Sequence, residues 1–343
     1  MLTKYRFSFG PWNIHSGADP FGPEVRDEFT FAEKLEFYKK LGFDGVQFHD
    51  DDIVSNADDP WAKQESEAKK MRQLLDERGL EAEFIAPRLW EHPLTIDGAI
   101  TSNSAESRKY ALERSKRAID IAHIVGTKNM VLWPAREGTY LREAKDPVAS
   151  VARLVDWLNA MLAYDKDIRI LGEMKPNEPM DQAYLPTTGH FLGLASLTID
   201  PTRVGTLIES AHAILAGLDP SDEMAYALYQ KKLWSVHLND QNGLKFDEDK
   251  SFGVVDLRRA FNQVWVLERN GYGQNGEFIG LDVKALRTQV KEKSTKHLSN
   301  SREIFLRLVE LARSLDVKMV EQLRAARDYE ELDLLIVNHL LGG

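Results

Sequence analysis

The 343-residue chain contains no cysteine. That absence excludes a disulfide framework, thiolate catalysis and sulfur-ligated metal, so any metal site must be built from nitrogen and oxygen donors. No apolar run approaches the length that spans a bilayer, and the opening MLTKYRFSFG has no signal-peptide core. No GxGxxG or GxxxxGK follows an early strand, which removes both common nucleotide-binding fingerprints. A formal net charge of -10, with no basic stripe, leaves no surface suited to a phosphate backbone. Pro, Gly and Ser do not gather into a linker, and no low-complexity tract interrupts the chain. With 43% hydrophobic and 29% charged residues, the expectation is a globular cytoplasmic enzyme with no membrane and no nucleic-acid partner.

What is present alternates. Short β-rich runs, YRFSFG, DGVQFH, AEFIAP, NMVLWP, IRILGEMK, RVGTLIES, LWSVHLN and EFIGLDVK, are separated by amphipathic stretches. FAEKLEFYKKLG, ESEAKKMRQLLDERG and ESRKYALERSKRAIDIAHIVG are examples, with apolar residues at i, i+3, i+4 and i+7. Gly42, Gly79 and Gly126 stand where helix C-caps belong. Eight such pairs predict an α/β fold, a (β/α)8 TIM barrel whose active site lies at the C-terminal strand ends. A doubly wound open sheet shares the alternation and is the alternative; the missing nucleotide fingerprints argue against it. The barrel is expected over residues 1–298 and a C-terminal helical extension over 299–343.

Ligand-type side chains crowd the strand ends. Strand two ends in His49, Asp50, Asp51 and Asp52, strand five in Glu173 and Lys175, and strand six in Glu209 with His212 three residues on. Strand seven ends in His237 and strand eight in Asp282 with Lys284; Asp247 and Asp249 follow strand seven in HLNDQNGLKFDED. Residues two apart on a strand point the same way, so Glu173 and Lys175 should both face the barrel mouth. Several carboxylates converging there would repel one another and rise in pKa unless cations neutralised them, and divalent ions are the simplest solution. Oxygen donors with one or two imidazoles suit Mg, Mn or Co. Taken singly, a strand-end Asp is more often a helix cap, and Asp50 and Asp51 are read that way. His190, His297 and His339 are read as ordinary structural or surface histidines. Candidates at five of eight strand ends exceed what capping explains.

Trp12, Trp90 and Trp133 fall at the ends of strands one, three and four, across the barrel from the carboxylates. An aromatic wall opposite a charged cluster suits a polyol held away from bulk water.

The stretches FSFGPW, ADPFG, FHDDD, RKYAL, WPAREG, EMKPNEP, LPTTGH, HLNDQNGLKFDED and FGVVDLRRAF together resemble the D-xylose isomerase family. The resemblance is greatest to its shorter actinobacterial-type members and covers roughly residues 5–290. It implies a barrel with a C-terminal helical arm, assembled as a homo-oligomer (dimer or tetramer). It also implies aldose–ketose interconversion with two divalent ions per subunit and no organic cofactor. Glu173, Glu209 and Asp282 match ligands of a first metal, and Glu209 would bridge to a second held by His212, Asp247 and Asp249. His49, oriented by Asp52, matches the pair implicated in opening the cyclic sugar, and Lys175 the lysine that polarises the C1 oxygen. Trp12, Trp90 and Trp133 would line the sugar, Trp90 standing where the family usually has phenylalanine. Phe21 would reach into a neighbouring subunit's site. The implied reaction is a hydride shift between C1 and C2, turning D-xylose into D-xylulose or D-glucose into D-fructose.

Departures from that pattern are specific. His237 stands where these isomerases place an aspartate on the first metal; an imidazole there is similar to the L-rhamnose isomerase family. It is either a ligand or a hydrogen-bonded strand-end histidine. Ala86 and Leu207 replace polar residues usual near the sugar. Five carboxylates remain where the family has six, and imidazole favours Mn and Co over Mg. Alternatives are the same chemistry on L-rhamnose or a rarer sugar, an epimerase, a metal-dependent hydrolase or endonuclease on this barrel, or a non-catalytic sugar binder. The net charge of -10 and the EMKPNEP stretch argue against the endonuclease.

Overall fold

The computed structural model describes residues 4–19 and 22–342, so Phe21 lies outside the described residues. Eight parallel strands close into a barrel: β1 (Arg6–Phe9), β2 (Gly45–His49), β3 (Glu81–Ala86), β4 (Asn129–Leu132), β5 (Arg169–Glu173), β6 (Val204–Glu209), β7 (Leu233–Leu238) and β8 (Phe278–Leu281). Each falls on one of the β-rich runs of the sequence. Every strand lies between its neighbours in chain order, and β8 returns to β1 in register from Arg6↔Phe278 to Phe9↔Leu281. The fold is therefore a TIM barrel with extra C-terminal helices.

Helices cover the barrel: α1 (Phe31–Lys40), α2 (Trp61–Arg78), α3 (Ala105–Val125), α4 (Pro147–Tyr164), α5 (Thr188–Ala195), α6 (Ser210–Leu215), α7 (Pro220–Tyr229), α8 (Leu257–Arg269) and α9 (Lys296–Ser314). Their starts are written locally. Thr30 and Glu33 form a reciprocal capping box on α1, and Ser104, Asp146 and Asp256 cap α3, α4 and α8. Gly79 and Gly126 end α2 and α3 in the left-handed region, at φ +59° and +92°. No helix among the described residues is long and apolar enough to cross a membrane.

Phe305 of α9 is fully buried and meets Tyr5 and Phe7 edge-on, with ring centroids 5.0 and 5.6 Å away. That helix closes the barrel and runs unbroken through residues 298 and 299, so the expected boundary falls inside it. Beyond it lie α10 (Val317–Ala326) and α11 (Tyr329–Leu340), which pack on each other.

The barrel interior is layered. Ser8, Gln47 and Ser235 surround the buried Glu83 carboxylate as hydrogen-bond donors. Pairing skips Glu83, since Val46 faces Ala82 and Gln47 faces Phe84. An extra residue of this kind lets neighbours turn to the same side, and both Glu83 and Phe84 face inward. Phe84, Ala86, Val131, Leu171 and Leu207 form a separate apolar cluster with Trp12 packed against it. Ala86 lines the cavity above, whereas Leu207 is sealed within the cluster.

Candidate active site and metal centre

Four strand ends converge on one point. Glu173 and Glu209 are the last residues of β5 and β6, His237 is next to last in β7, and Asp282 follows β8 directly. Each offers a ligand atom within 4.8 Å of the others. His237 Nδ1 lies 3.5 Å from Glu173 Oε1, 3.6 Å from Asp282 Oδ2 and 3.7 Å from Glu209 Oε2. None of these is a well-formed hydrogen bond, and neither ring nitrogen of this buried histidine has a partner. Separations of 3.5–3.7 Å from His237 Nδ1 to the three carboxylates are what donors sharing one divalent ion at about 2.0–2.2 Å would show. The orphaned imidazole and the three carboxylates therefore fit a divalent cation.

Neighbouring groups hold these donors in place, as metal sites require. Trp12 Nε1 and Asn13 Nδ2 both donate to Asp282 Oδ1 at 2.9 Å, leaving Oδ2 for the cluster. Asn239 Nδ2 donates to Glu209 Oε1 at 2.8 Å and to Asp249 Oδ1 at 3.0 Å. Gly280 lies opposite His237 across β7 and β8. A Cβ at Gly280 would sit 2.4 Å from Val236 O, 2.5 Å from Gln47 Nε2 and 3.0 Å from His237 Cδ2, so a side chain there would press on the strand, on Gln47 and on the edge of the imidazole.

A second group shares Glu209. His212 Nε2 lies 3.1 Å from Asp247 Oδ2 and 3.3 Å from Glu209 Oε1, while His212 Nδ1 and Asp247 Oδ1 are buried without partners. Glu209 thus turns one oxygen to each group. Asp249 is not drawn in: its carboxylate accepts from Lys284 Nζ and from Asn239. Lys175 Nζ reaches Asp247 Oδ2 at 2.9 Å and Glu178 Oε2 at 3.0 Å.

Electrostatics record the same convergence. Burial opposes a charge on His237, yet Glu173, Glu209 and Asp282 outweigh it and push its pKa well up. Burial likewise raises Glu173, but His237 and His212 hold it down to about 2. Burial and the Asp247 charge push Glu209 well above the usual carboxylate range. Asp249 is pushed up to about 7 by burial and Asp247, despite Lys284. Positive charge is thus favoured at the centre of the three carboxylates, the place a metal charge would take.

The opposite wall is aromatic. Trp12 and His49 ring centroids are 4.3 Å apart, His49 and Trp90 5.2 Å, and Trp90 and Trp133 4.5 Å. All four line the same cavity of about 1380 Å³ as Lys175 and the two carboxylate groups. Asp52 Oδ2 accepts from the His49 backbone N–H at 2.7 Å and lies 3.3 Å from His49 Nδ1.

Asp50 and Asp51, expected as caps, serve mainly as ion-pair partners. Arg114 holds both oxygens of Asp50 at 2.7 and 2.8 Å and reaches Asp51 at 3.2 Å. A buried carboxylate needs such a cation, and α3 supplies it. His49, Asp51 and Asp52 also lie close enough to share a metal, but Arg88 already meets all three. His190 takes a local partner, Thr187 Oγ1, and His339 reaches across to Leu311 O on α9.

Sequence reasoning missed Asn13, Arg88 and Asn239 as parts of this site. Asn239 had a signal, since it lies two residues beyond His237 and shares its side of the chain. Arg88 had a weaker one, as a cation two residues past Ala86. Asn13 had none, because its reach to Asp282 depends on a single 3-10 turn, Pro11–Asn13.

Residues 35–272 match the family model described as the xylose isomerase-like TIM barrel. Among solved structures, a D-tagatose 3-epimerase-like protein is 16% identical, with a TM-score of 0.65 over 90% of this chain and 98% of that one. The 3-keto-D-glucoside 4-epimerase of E. coli is 17% identical, with a TM-score of 0.61 over 88% and 100%. A xylose isomerase domain protein from Alicyclobacillus acidocaldarius is 14% identical, with a TM-score of 0.60 over 90% and 99%. At these identities the likeness establishes the fold, while the family match spans more than half the chain. The chain belongs to the xylose isomerase-like TIM barrel family.

Proposed function

We propose that this chain is a metal-dependent aldose–ketose isomerase, converting D-xylose to D-xylulose and D-glucose to D-fructose, working as a cytoplasmic dimer or tetramer. One observation carries the reading: two cation-fitting groups share Glu209 in a cavity that also holds Lys175, His49 and three tryptophans. Glu173, Glu209, His237 and Asp282 would hold one divalent ion, and Glu209, His212 and Asp247, with Asp249 adjoining, a second. Mn, Co or Mg bound there supplies Lewis acidity toward the sugar oxygens at C1 and C2, where negative charge develops.

The side chains do the remaining work. Lys175 brings an ammonium to the C1 oxygen, and Asp247 and Glu178 aim it there. Trp12, Trp90 and Trp133 cover the sugar and exclude water. The C2 hydrogen passes to C1 with its electron pair, and the O2 proton moves to O1, which turns the aldose into the ketose. Strand-end placement on a closed barrel keeps these groups rigid.

A second reading is favoured by one feature. The first group by itself offers four donors to a single ion, and four of the similar solved structures are described as epimerases or epimerase-like. An epimerase would remove and return a carbon-bound proton through the paired carboxylates. Heavy water separates the two. Ketose formed without deuterium on carbon supports the isomerase, whereas a C3 or C4 epimer carrying solvent deuterium would establish the epimerase instead.

A further inference from the structure

His49 Nδ1 has two neighbours of opposite character. Asp52 Oδ2 lies 3.3 Å away, and Arg88 Nη2 lies 2.7 Å away. An ionised carboxylate only accepts and a guanidinium only donates, so Nδ1 cannot satisfy both. The shorter contact is a hydrogen bond only if Nδ1 offers its lone pair. The Asp52 oxygen does not depend on the imidazole, because the His49 backbone N–H already donates to it at 2.7 Å.

Arg88 is itself held rigidly. Its Nε donates to Asp51 Oδ1 at 2.7 Å, its Nη1 to Glu91 Oε1 at 3.2 Å, and its backbone N–H to Asp50 Oδ1 at 2.9 Å. The guanidinium carbon lies 5.5 Å from the Trp90 ring centroid. Asp50 is in turn gripped by Arg114 on α3. A donor fixed from four sides dictates the state of its acceptor, not the reverse.

We infer that Arg88 is a positioning residue that sets the tautomer of His49: Nδ1 accepts from the guanidinium, and the ring proton resides on Nε2. His49 then meets the substrate as a hydrogen-bond donor. The Asp52-oriented pair implied by the sequence resemblance would do the opposite, leaving Nε2 bare as a base for a hydroxyl proton. A donor instead suits an oxygen that carries no proton, such as the ring oxygen of the cyclic sugar or the aldehyde oxygen of the open one. That role rests on the isomerase reading; the tautomer does not.

The test is a long-range 1H–15N correlation spectrum of the full chain, labelled at the histidine ring nitrogens and loaded with Mg as a diamagnetic metal. His49→Gln identifies the His49 signals by their loss. The expected wild-type pattern is a protonated Nε2 and a bare Nδ1. Arg88→Met should exchange the two, since Asp52 becomes the nearest partner, whereas Asp52→Asn should leave the proton on Nε2. A wild-type ring protonated at Nδ1 or at both nitrogens would overturn the inference, as would an Arg88→Met ring identical to wild type. Should Arg88→Met fail to fold, the wild-type and Asp52→Asn spectra decide alone. None of these readings needs turnover, so a failure of the isomerase reading stays distinguishable.

Discussion

His237 carries the largest chemical departure at the scale of single residues. An imidazole in place of a carboxylate removes one negative charge and adds a borderline nitrogen donor, which favours Mn and Co over Mg. Activity with Mn or Co as sole metal should therefore exceed that with Mg, and His237→Asp should move the preference toward Mg. A metal profile unchanged by the substitution would remove His237 from the ligand set. Gly280→Ala tests the same ring by displacement, because its Cβ would intrude on Val236 O and Gln47 Nε2 and press on the imidazole edge. Metal affinity should fall roughly 10- to 100-fold, as when supporting groups around a metal are disturbed. Equilibrium titration of the apoprotein with Mn measures this; an unchanged affinity would contradict the placement of His237. The position of His237 near a strand end was legible, because the alternation of the chain places the strand that carries it. The sequence did not show that Asp249 turns to Lys284, since that depends on how the loop after β7 folds back.

At the scale of elements, the HDDD run shows where local reading stops. Its acids looked like caps because a strand-to-helix junction commonly needs one. The structure instead ties β2 to α3 through Arg114, sixty-four residues away from Asp50, a pairing that no local pattern reports. Asp50 and Arg114 are both buried, so Asp50→Ala leaves the guanidinium with one carboxylate, Asp51 at 3.2 Å, and a long contact to the Tyr110 hydroxyl. The loss should be about 3 kcal/mol, at the low end of the roughly 3–5 kcal/mol for breaking a buried pair. Urea unfolding of the two proteins checks it, and a difference under 1 kcal/mol would show the pair to be solvated. The barrel strands, by contrast, were legible because each is short, apolar and bounded by turn residues. The α9 boundary was not, because amphipathic pattern alone does not distinguish a helix that closes the barrel from one that leaves it; the packing of Phe305 on Tyr5 and Phe7 does.

For the whole molecule, acid sensitivity has a traceable source in the contact between the β1 loop and α9. His297 is buried, with Nε2 2.9 Å from Asn13 O, and burial, reinforced by His15 and Arg26, pushes its pKa down to about 4. In the unfolded chain it returns to about 6.5. Between those values the unfolded state binds the extra proton, so stability is full above about pH 6.5 and is lost as pH falls toward 4. The slope from this one group is up to about 1.4 kcal/mol per pH unit. His297→Gln should flatten the fall in denaturation midpoint between pH 6.5 and 4.5, and parallel curves for the two proteins would refute the assignment. Because Asn13 also holds Asp282, acid should loosen the Asp282 carboxylate and this contact together.

If paired cation sites at the strand ends serve sugar isomerisation, turnover must depend on metal and on an aldose. The most direct measurement strips the protein of metal, restores Mg, Mn or Co separately, and follows ketose formation from D-xylose, D-glucose, L-rhamnose, L-arabinose and D-ribose. Turnover is expected to be absent without metal and fastest for D-xylose with Mn or Co. Turnover indifferent to metal removal, or silence across all five sugars with every metal, would contradict that role.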